Sequence, residues 1–306
     1  MTISARKIAH VNLNVSSVNQ GLRFHTESLK MRNVGHIQVA AQDGLPIGIE
    51  SSVKWRGYRL NSISENLNAT TFQLVEWERP IAKLAPYARA NNAGISRIAI
   101  KVPNLDEIYQ LLKHIGVKVF DQPKIDEHTN EHFFCALNTD GSVYQFIEGI
   151  GEPELWFVNV NCSNIEVSRR WYQQHFGFEL VSKVWEQEGS GRSYGIAGKI
   201  KLKTVRLQLP GRHADCGLQL QQWDLPATFG TKTYQVANNL GFNRIALEVE
   251  DVQQSYENLS DQGVKFSMPP VVFETDKNNG DSAPWIALLA DPDGATIALM
   301  ENEVLG

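Results

Sequence analysis

The chain has 306 residues, 42% hydrophobic and 21% charged, with a formal net charge of −5. That balance suits a soluble globular protein long enough for two ordinary domains, and without a basic run it offers nothing to nucleic acid or an anionic membrane. No apolar run reaches a membrane span, the start MTISARKIAH has no apolar signal core, and three scattered cysteines, Cys135, Cys162 and Cys216, fit a reducing cytoplasm rather than a disulfide framework or a zinc spacing.

The first predicted element is the strand around His10-Val11-Asn12-Leu13-Asn14-Val15. Val11, Leu13 and Val15 face one way and His10, Asn12 and Asn14 the other, the period of a half-buried strand. Asn is a poor strand former, so its use twice on one face points to a polar cavity rather than plain solvent. Ser16 or Ser17 caps a helix through SVNQGLRFHTESL. Strands are predicted at NVGHIQVAA, near Ile49–Leu60 and at TTFQLVEW, with a polar, irregular stretch from Ser51 to Asn68.

A second module begins with a strand at 95–102. Its helix runs from Asn104 to Ile115, with Leu105, Ile108, Leu111 and Leu112 as the apolar stripe and Gly116 as the stop. Strands near 131–138 and 143–148 meet at the turn Thr139-Asp140-Gly141. The donor-rich segment Asp126–His132 reads as a loop entering a strand, so His128 and His132 do not share a helix face. GIGEPE, residues 149–154, punctuates the chain.

The pattern then recurs. Phe157-Val158-Asn159-Val160-Asn161-Cys162 repeats the first strand, and Arg244-Ile245-Ala246-Leu247-Glu248-Val249 repeats Arg97-Ile98-Ala99-Ile100-Lys101-Val102. A Gly-rich insertion, QEGSGRSYGIAG, is expected in the third module. The fourth carries a loop at TDKNNGDSAP and an Asp291-Pro292-Asp293-Gly294 turn. The chain is therefore four modules of strand, helix and three strands, with expected domains 1–150 and 151–306.

These modules, the HVNLNVSS start, the WYQQHFGF helix exit and the DPDG hairpin resemble the vicinal oxygen chelate superfamily, which includes glyoxalase I, bleomycin-resistance proteins and extradiol dioxygenases. The resemblance implies an α+β fold of two tandem domains. Each would be an eight-stranded U-shaped sheet with a concave cavity, closed by two consecutive modules. Metal-using members carry His and Glu at four places per domain. Here those places hold His10, Gln73, Arg97 and Gln145 in the first half, and Phe157, Gln219, Arg244 and Ala298 in the second. Several imidazoles, carboxylates or thiolates must converge on a divalent metal, and a fixed guanidinium repels it. No metal or other cofactor is therefore expected. His25 stands where the family usually has Tyr.

Two function classes follow. One is a metal-independent enzyme of the isomerase, lyase or cyclase type, with His10 as acid or base and Arg97 stabilising developing negative charge. The other binds a small molecule without turnover, as bleomycin-resistance members do; metal-dependent glyoxalase or dioxygenase chemistry ranks behind both. The expected ligand is small, polar, and anionic or aromatic. It would meet Asn12, Asn14, Gln73, Trp77 and Gln145 in the first cavity, and Asn159, Gln219, Trp223 and Arg244 in the second. The competing structural reading makes these amides and indoles an internal network, with Arg244 paired to Glu248. A homodimer is compatible with the resemblance.

Overall fold

The computed structural model describes every residue except 1, 2, 4, 63–68, 83–88, 212–214, 231–235, 273–284 and 302–306. The predicted TDKNNGDSAP loop lies outside the described residues.

All four modules form. The first has β1 (Lys7–Asn14), α1 (Val18–Arg23) with a π-helical turn over Phe24–Ser28, β2 (Arg32–Asp43), β3 (Ser52–Asn61) and β4 (Thr71–Arg79). The second has β5 (Gly94–Val102), α2 (Leu105–His114), β6 (Lys124–Ile125), β7 (His132–Leu137) and β8 (Val143–Glu148). The third has β9 (Glu154–Asn161), α3 (Ile165–Phe176), β10 (Glu179–Leu180), β11 (Trp185–Ser190), β12 (Lys199–Gln208) and β13 (Gly217–Leu225). The fourth has β14 (Gly241–Glu248), α4 (Val252–Asp261), β15 (Phe266–Val272), β16 (Trp285–Ala290) and β17 (Thr296–Met300). Helix starts follow the sequence signals, with Ser17, Asn104, Asn164 and Asp251 each accepting a bond from a free helical N–H.

Two expectations need correction at this level. Much of the stretch beginning at Ser51 is the regular strand β3, as far as Asn61. The Gly-rich segment of the third module is not an insertion. Its tight turn at Arg192–Tyr194, closed by Gly195 at φ 72°, matches the turn at Leu45–Ile47 closed by Gly48 at φ 77°. Both closing residues need the left-handed region, which glycine enters without penalty.

The larger correction concerns which modules share a sheet. One sheet runs β15-β16-β17-β14-β1-β4-β3-β2, and the other β10-β12-β13-β9-β5-β8-β7-β6, with β11 on β12. The first module thus closes a sheet with the fourth, and the second with the third. Neither 1–150 nor 151–306 closes a sheet of its own. Connection length gives the reason. Residues 149–153 are all that separate β8 from β9, and five residues span at most about 18 Å. β9 must therefore start beside the strands just completed. The connections over 80–93 and 226–240 are far longer, and each carries the chain to the other sheet.

The helix-facing sides of the four first strands meet in one core. Val11 and Leu13, Ile98 and Ile100, Val158 and Val160, and Ile245 and Leu247 all belong to a single buried cluster. Consecutive modules touch in this layer. Asp140 accepts bonds from the Ser16 backbone N–H and hydroxyl, and a His25 ring nitrogen bonds the Tyr144 hydroxyl at 2.8 Å. In the second half, Ser168 and Tyr172 donate to Asp293 and Asp291 at 3.3 and 3.1 Å. His25 is therefore fully buried and bonded. No helix among the described residues is long and apolar enough to cross a membrane.

Candidate functional site on two concave faces

Each sheet carries the same polar row on its concave face. In the first sheet, register places Arg59 opposite Gln73, Gln73 beside Asn12, and Asn12 opposite Arg244. In the second, Arg206 lies opposite Gln219, Gln219 beside Asn159, and Asn159 opposite Arg97. The row reads Arg-Gln-Asn-Arg in both. Asn12 and Asn159 occupy equivalent places, as do Arg244 and Arg97, as the repeat requires. Arg59 and Arg206 escaped the sequence reading; their equal spacing from Asn12 and Asn159 was the signal available.

The strand pairing regroups the predicted site. His10 and Gln73 lie in the first sheet with Arg244, whereas Arg97 and Gln145 lie in the second with Phe157 and Gln219. His10 and Arg97 do not share a face, and Gln73 and Gln145 do not flank one site. Glu248 is engaged by Lys7 at 3.4 Å, so the expected internal pair with Arg244 gives way to another cation.

Several predicted ligand contacts hold the fold together. Asn14 Nδ2 donates to the carbonyls of Ala237 and Asn239 at 2.8 and 2.7 Å, and its Oδ1 accepts from Trp77 Nε1 at 3.2 Å. Asn161 repeats this with Ala90, Asn92 and Trp223, at 2.6, 2.7 and 3.1 Å. Each asparagine ties its strand to the connection entering the neighbouring module. In the second sheet every side chain of the row makes at least one bond, although Arg97 Nη2 is buried without a partner among the described residues. Arg206 Nε donates to Gln219, and Gln219 Nε2 to Asn159, both at 3.0 Å. Arg97 donates to Gln145 at 2.9 Å and to Gln221 at 3.0 Å, with its guanidinium 5.1 Å from the Tyr194 ring centre.

The first face is different. His10 is 5% exposed, and its Nε2 has no hydrogen-bond partner among the described residues. Burial holds its pKa well below the usual histidine range, and the guanidiniums of Arg244 and Arg59 lower it further. Arg59 and Arg244 are themselves only partly buried. Next to this group the face is packed by Trp55, Trp77, Met268 and Met300.

The family's four ligand places become His10, Gln73, Arg244 and Ala298 in the first sheet, and Phe157, Gln219, Arg97 and Gln145 in the second. These residues do not fit a divalent metal. One imidazole is flanked by guanidiniums in the first set, and a buried guanidinium holds one of the places in the second. Among the described residues, no three His, Cys, Asp or Glu side chains are placed to hold a metal ion.

A cavity of about 590 Å³ opens at the second sheet, walled by Trp156, Phe157, Trp185, Arg206, Gln208 and the 181–183 segment, with His128 and Thr129 across from them.

Paired βαβββ modules curled around polar concave faces define a vicinal oxygen chelate fold. Residues 155–299, just under half of the chain, match the family model of the Glyoxalase/Bleomycin resistance protein/Dioxygenase superfamily. Glyoxalase I from Zea mays superposes with a TM-score of 0.68 at 17% identity, covering 96% of this chain and 92% of that one. A Bacillus subtilis protein provisionally assigned as a dioxygenase gives 0.63 at 12% identity, covering 98% and 86%. At these identities the likeness is one of fold. A comparison with curated proteins gave no match.

Proposed function

We propose that the first concave face acts on a small organic anion without a metal, with His10 transferring a proton and Arg244 and Arg59 stabilising negative charge. The observation that supports this best is the state of His10. A histidine held neutral carries one unprotonated ring nitrogen, which can accept a proton at neutral pH. The two guanidiniums that add to the effect of burial on His10 also attract a carboxylate or an enolate. Arg97, expected in this role, is replaced by its repeat partner Arg244.

The test is an NMR titration of the His10 imidazole in chelator-treated protein, with acetate, benzoate and glycolate as probes. A saturable shift is expected with at least one of them, weakened at least tenfold by Arg244→Leu. No shift with any probe defeats the reading.

Binding without turnover is the second reading. Glu248 favours it, because this carboxylate on the same face is held by Lys7 rather than joined to His10 in a proton relay.

A further inference from the structure

The two sheets close on the same cross-strand register, and that register holds one charge pair in two opposite orientations. β1 meets β14 with Asn12 opposite Arg244, His10 opposite Ala246 and Lys7 opposite Glu248. β9 meets β5 with Asn159 opposite Arg97, Phe157 opposite Ala99 and Glu154 opposite Lys101. Both first strands bulge at the same step, where Ala9 is the extra residue of β1 and Trp156 that of β9. The repeat therefore makes Lys7 equivalent to Glu154, and Glu248 equivalent to Lys101, with both signs reversed. Lys7 Nζ lies 3.4 Å from Glu248, at 14% and 9% side-chain exposure, and Lys101 Nζ lies 3.9 Å from Glu154, at 23% and 41%. Charges sheltered to this degree are screened less than surface pairs.

The reversal matters for the pairing that does not occur. β1 and β9 compete for one edge of β5, whose other edge takes β8. The first two modules are synthesised before the others, and the long connection over 80–93 lets β1 and β5 meet before β14 exists. In the shared register most of that encounter would fit. Asn12 would meet Arg97, His10 would meet Ala99 and Ile8 would meet Ile100, much as their equivalents do. The exception is Lys7, which would face Lys101. The matching encounter of β9 with β14 would set Glu154 against Glu248. Like charges directly opposite each other on a sheet are destabilising, and in these encounters all four residues lose their counter-charges as well.

We propose that the two ion pairs, by their opposite orientation, select which modules close a sheet. They bar the first module from the second and the third from the fourth. First with fourth and second with third is then the matched combination in this register. The selection acts on the choice of partner, beyond what each pair adds to the finished fold.

Refolding of the full chain from urea tests this, with tryptophan fluorescence for the rate and equilibrium unfolding for native stability. Every variant keeps the net charge. Lys7→Glu with Glu248→Lys leaves a matched native pair, but its new carboxylate also suits Lys101 and its new ammonium suits Glu154. It is expected to keep native stability and to refold at least about threefold more slowly than wild type, because mispaired modules must separate first. Adding Lys101→Glu and Glu154→Lys makes consecutive modules like-charged again and should restore the wild-type rate. Lys7→Glu with Glu154→Lys mismatches both native pairs and matches both consecutive ones, so it should give the lowest refolded yield of the set. Ion pairs that only hold the finished sheets would give wild type, the twofold reversal and the fourfold reversal one rate, and that result overturns the proposal. A fourfold variant no faster than the twofold one overturns it too, as does full refolding of the Lys7→Glu, Glu154→Lys protein.

Discussion

The two sheets share one framework and hold different contents. Both carry the Arg-Gln-Asn-Arg row, the asparagine–tryptophan tie and the bulge near the start of the central strand. At the place of His10 in the first sheet, the second has Phe157; at the place of Ala9 it has Trp156. The first face keeps a neutral imidazole between two guanidiniums. The second neutralises Arg206 with Glu131 and surrounds it with aromatic rings. Duplication preserved the bonds that close each sheet, while the residues at the mouths diverged, because closing bonds are buried and mouth residues are not bound by packing to the same degree.

The hardest test of that shared framework is to remove the indoles. Trp77→Ala and Trp223→Ala should each lose about 3–5 kcal/mol, the usual cost of truncating a buried aromatic, measured by urea unfolding. A loss below about 1 kcal/mol for Trp77 alone would mark it as a ligand contact and break the equivalence.

The helix layer offers a comparison in pH. Burial lowers the His25 pKa to about 4, while burial raises that of Asp291, the partner of Tyr172, to about 6. His25 binds its proton more weakly folded than unfolded. Its contribution is complete above the unfolded value near 6.5 and is lost as pH falls toward 4, about 3 kcal/mol in all. Asp291 runs the other way: its contribution is complete below about 4 and is lost as pH rises through 6, again about 3 kcal/mol. The two oppose each other between pH 4 and 6. His25→Tyr, which copies Tyr172, should therefore make stability fall with rising pH across that window, and Asp291→Asn should make it rise. Identical pH profiles for the two variants would remove the contrast.

A smaller effect is expected at the asparagines. Asn14→Ala and Asn161→Ala should each cost about 1–3 kcal/mol, by removing the tie to the connection and leaving a buried indole N–H unpaired. Unequal costs would show which connection depends more on its tie.

The smallest effect on stability belongs to the exchange at the mouth. His10→Phe copies Phe157 and removes a buried nitrogen that lacks a partner, so stability should change by less than about 1 kcal/mol or rise slightly. The same variant should keep the anion-dependent NMR shifts of the Arg244 side-chain signals, because the guanidiniums and not the neutral imidazole hold the anion. Loss of those shifts would make His10 itself an anion contact and change its assigned role.

Much of this molecule is legible in the chain alone. Period-two alternation in HVNLNV, FVNVNC, RIAIKV and RIALEV marks the four first strands and assigns their faces, because side-chain direction in a strand depends only on parity. The capping residues mark where helices begin, and the repeat makes Asn12 and Asn159, or Arg97 and Arg244, equivalent before any coordinate is known. Pairing between modules is not local. Alternation says which way His10 and Arg97 point but not which strand lies beside each, and consecutive order suggested the wrong neighbour. The contrast between the short connection at 149–153 and the long ones at 80–93 and 226–240 was visible in the sequence. It gained meaning only once the tertiary fold showed that strands from opposite ends of the chain, β1 and β14, close one sheet. Hydrogen bonds between β1 and β14 place Arg244, and not Arg97, beside His10, because a strand's neighbour is chosen by the global packing of four modules on one core and not by the residues of that strand alone.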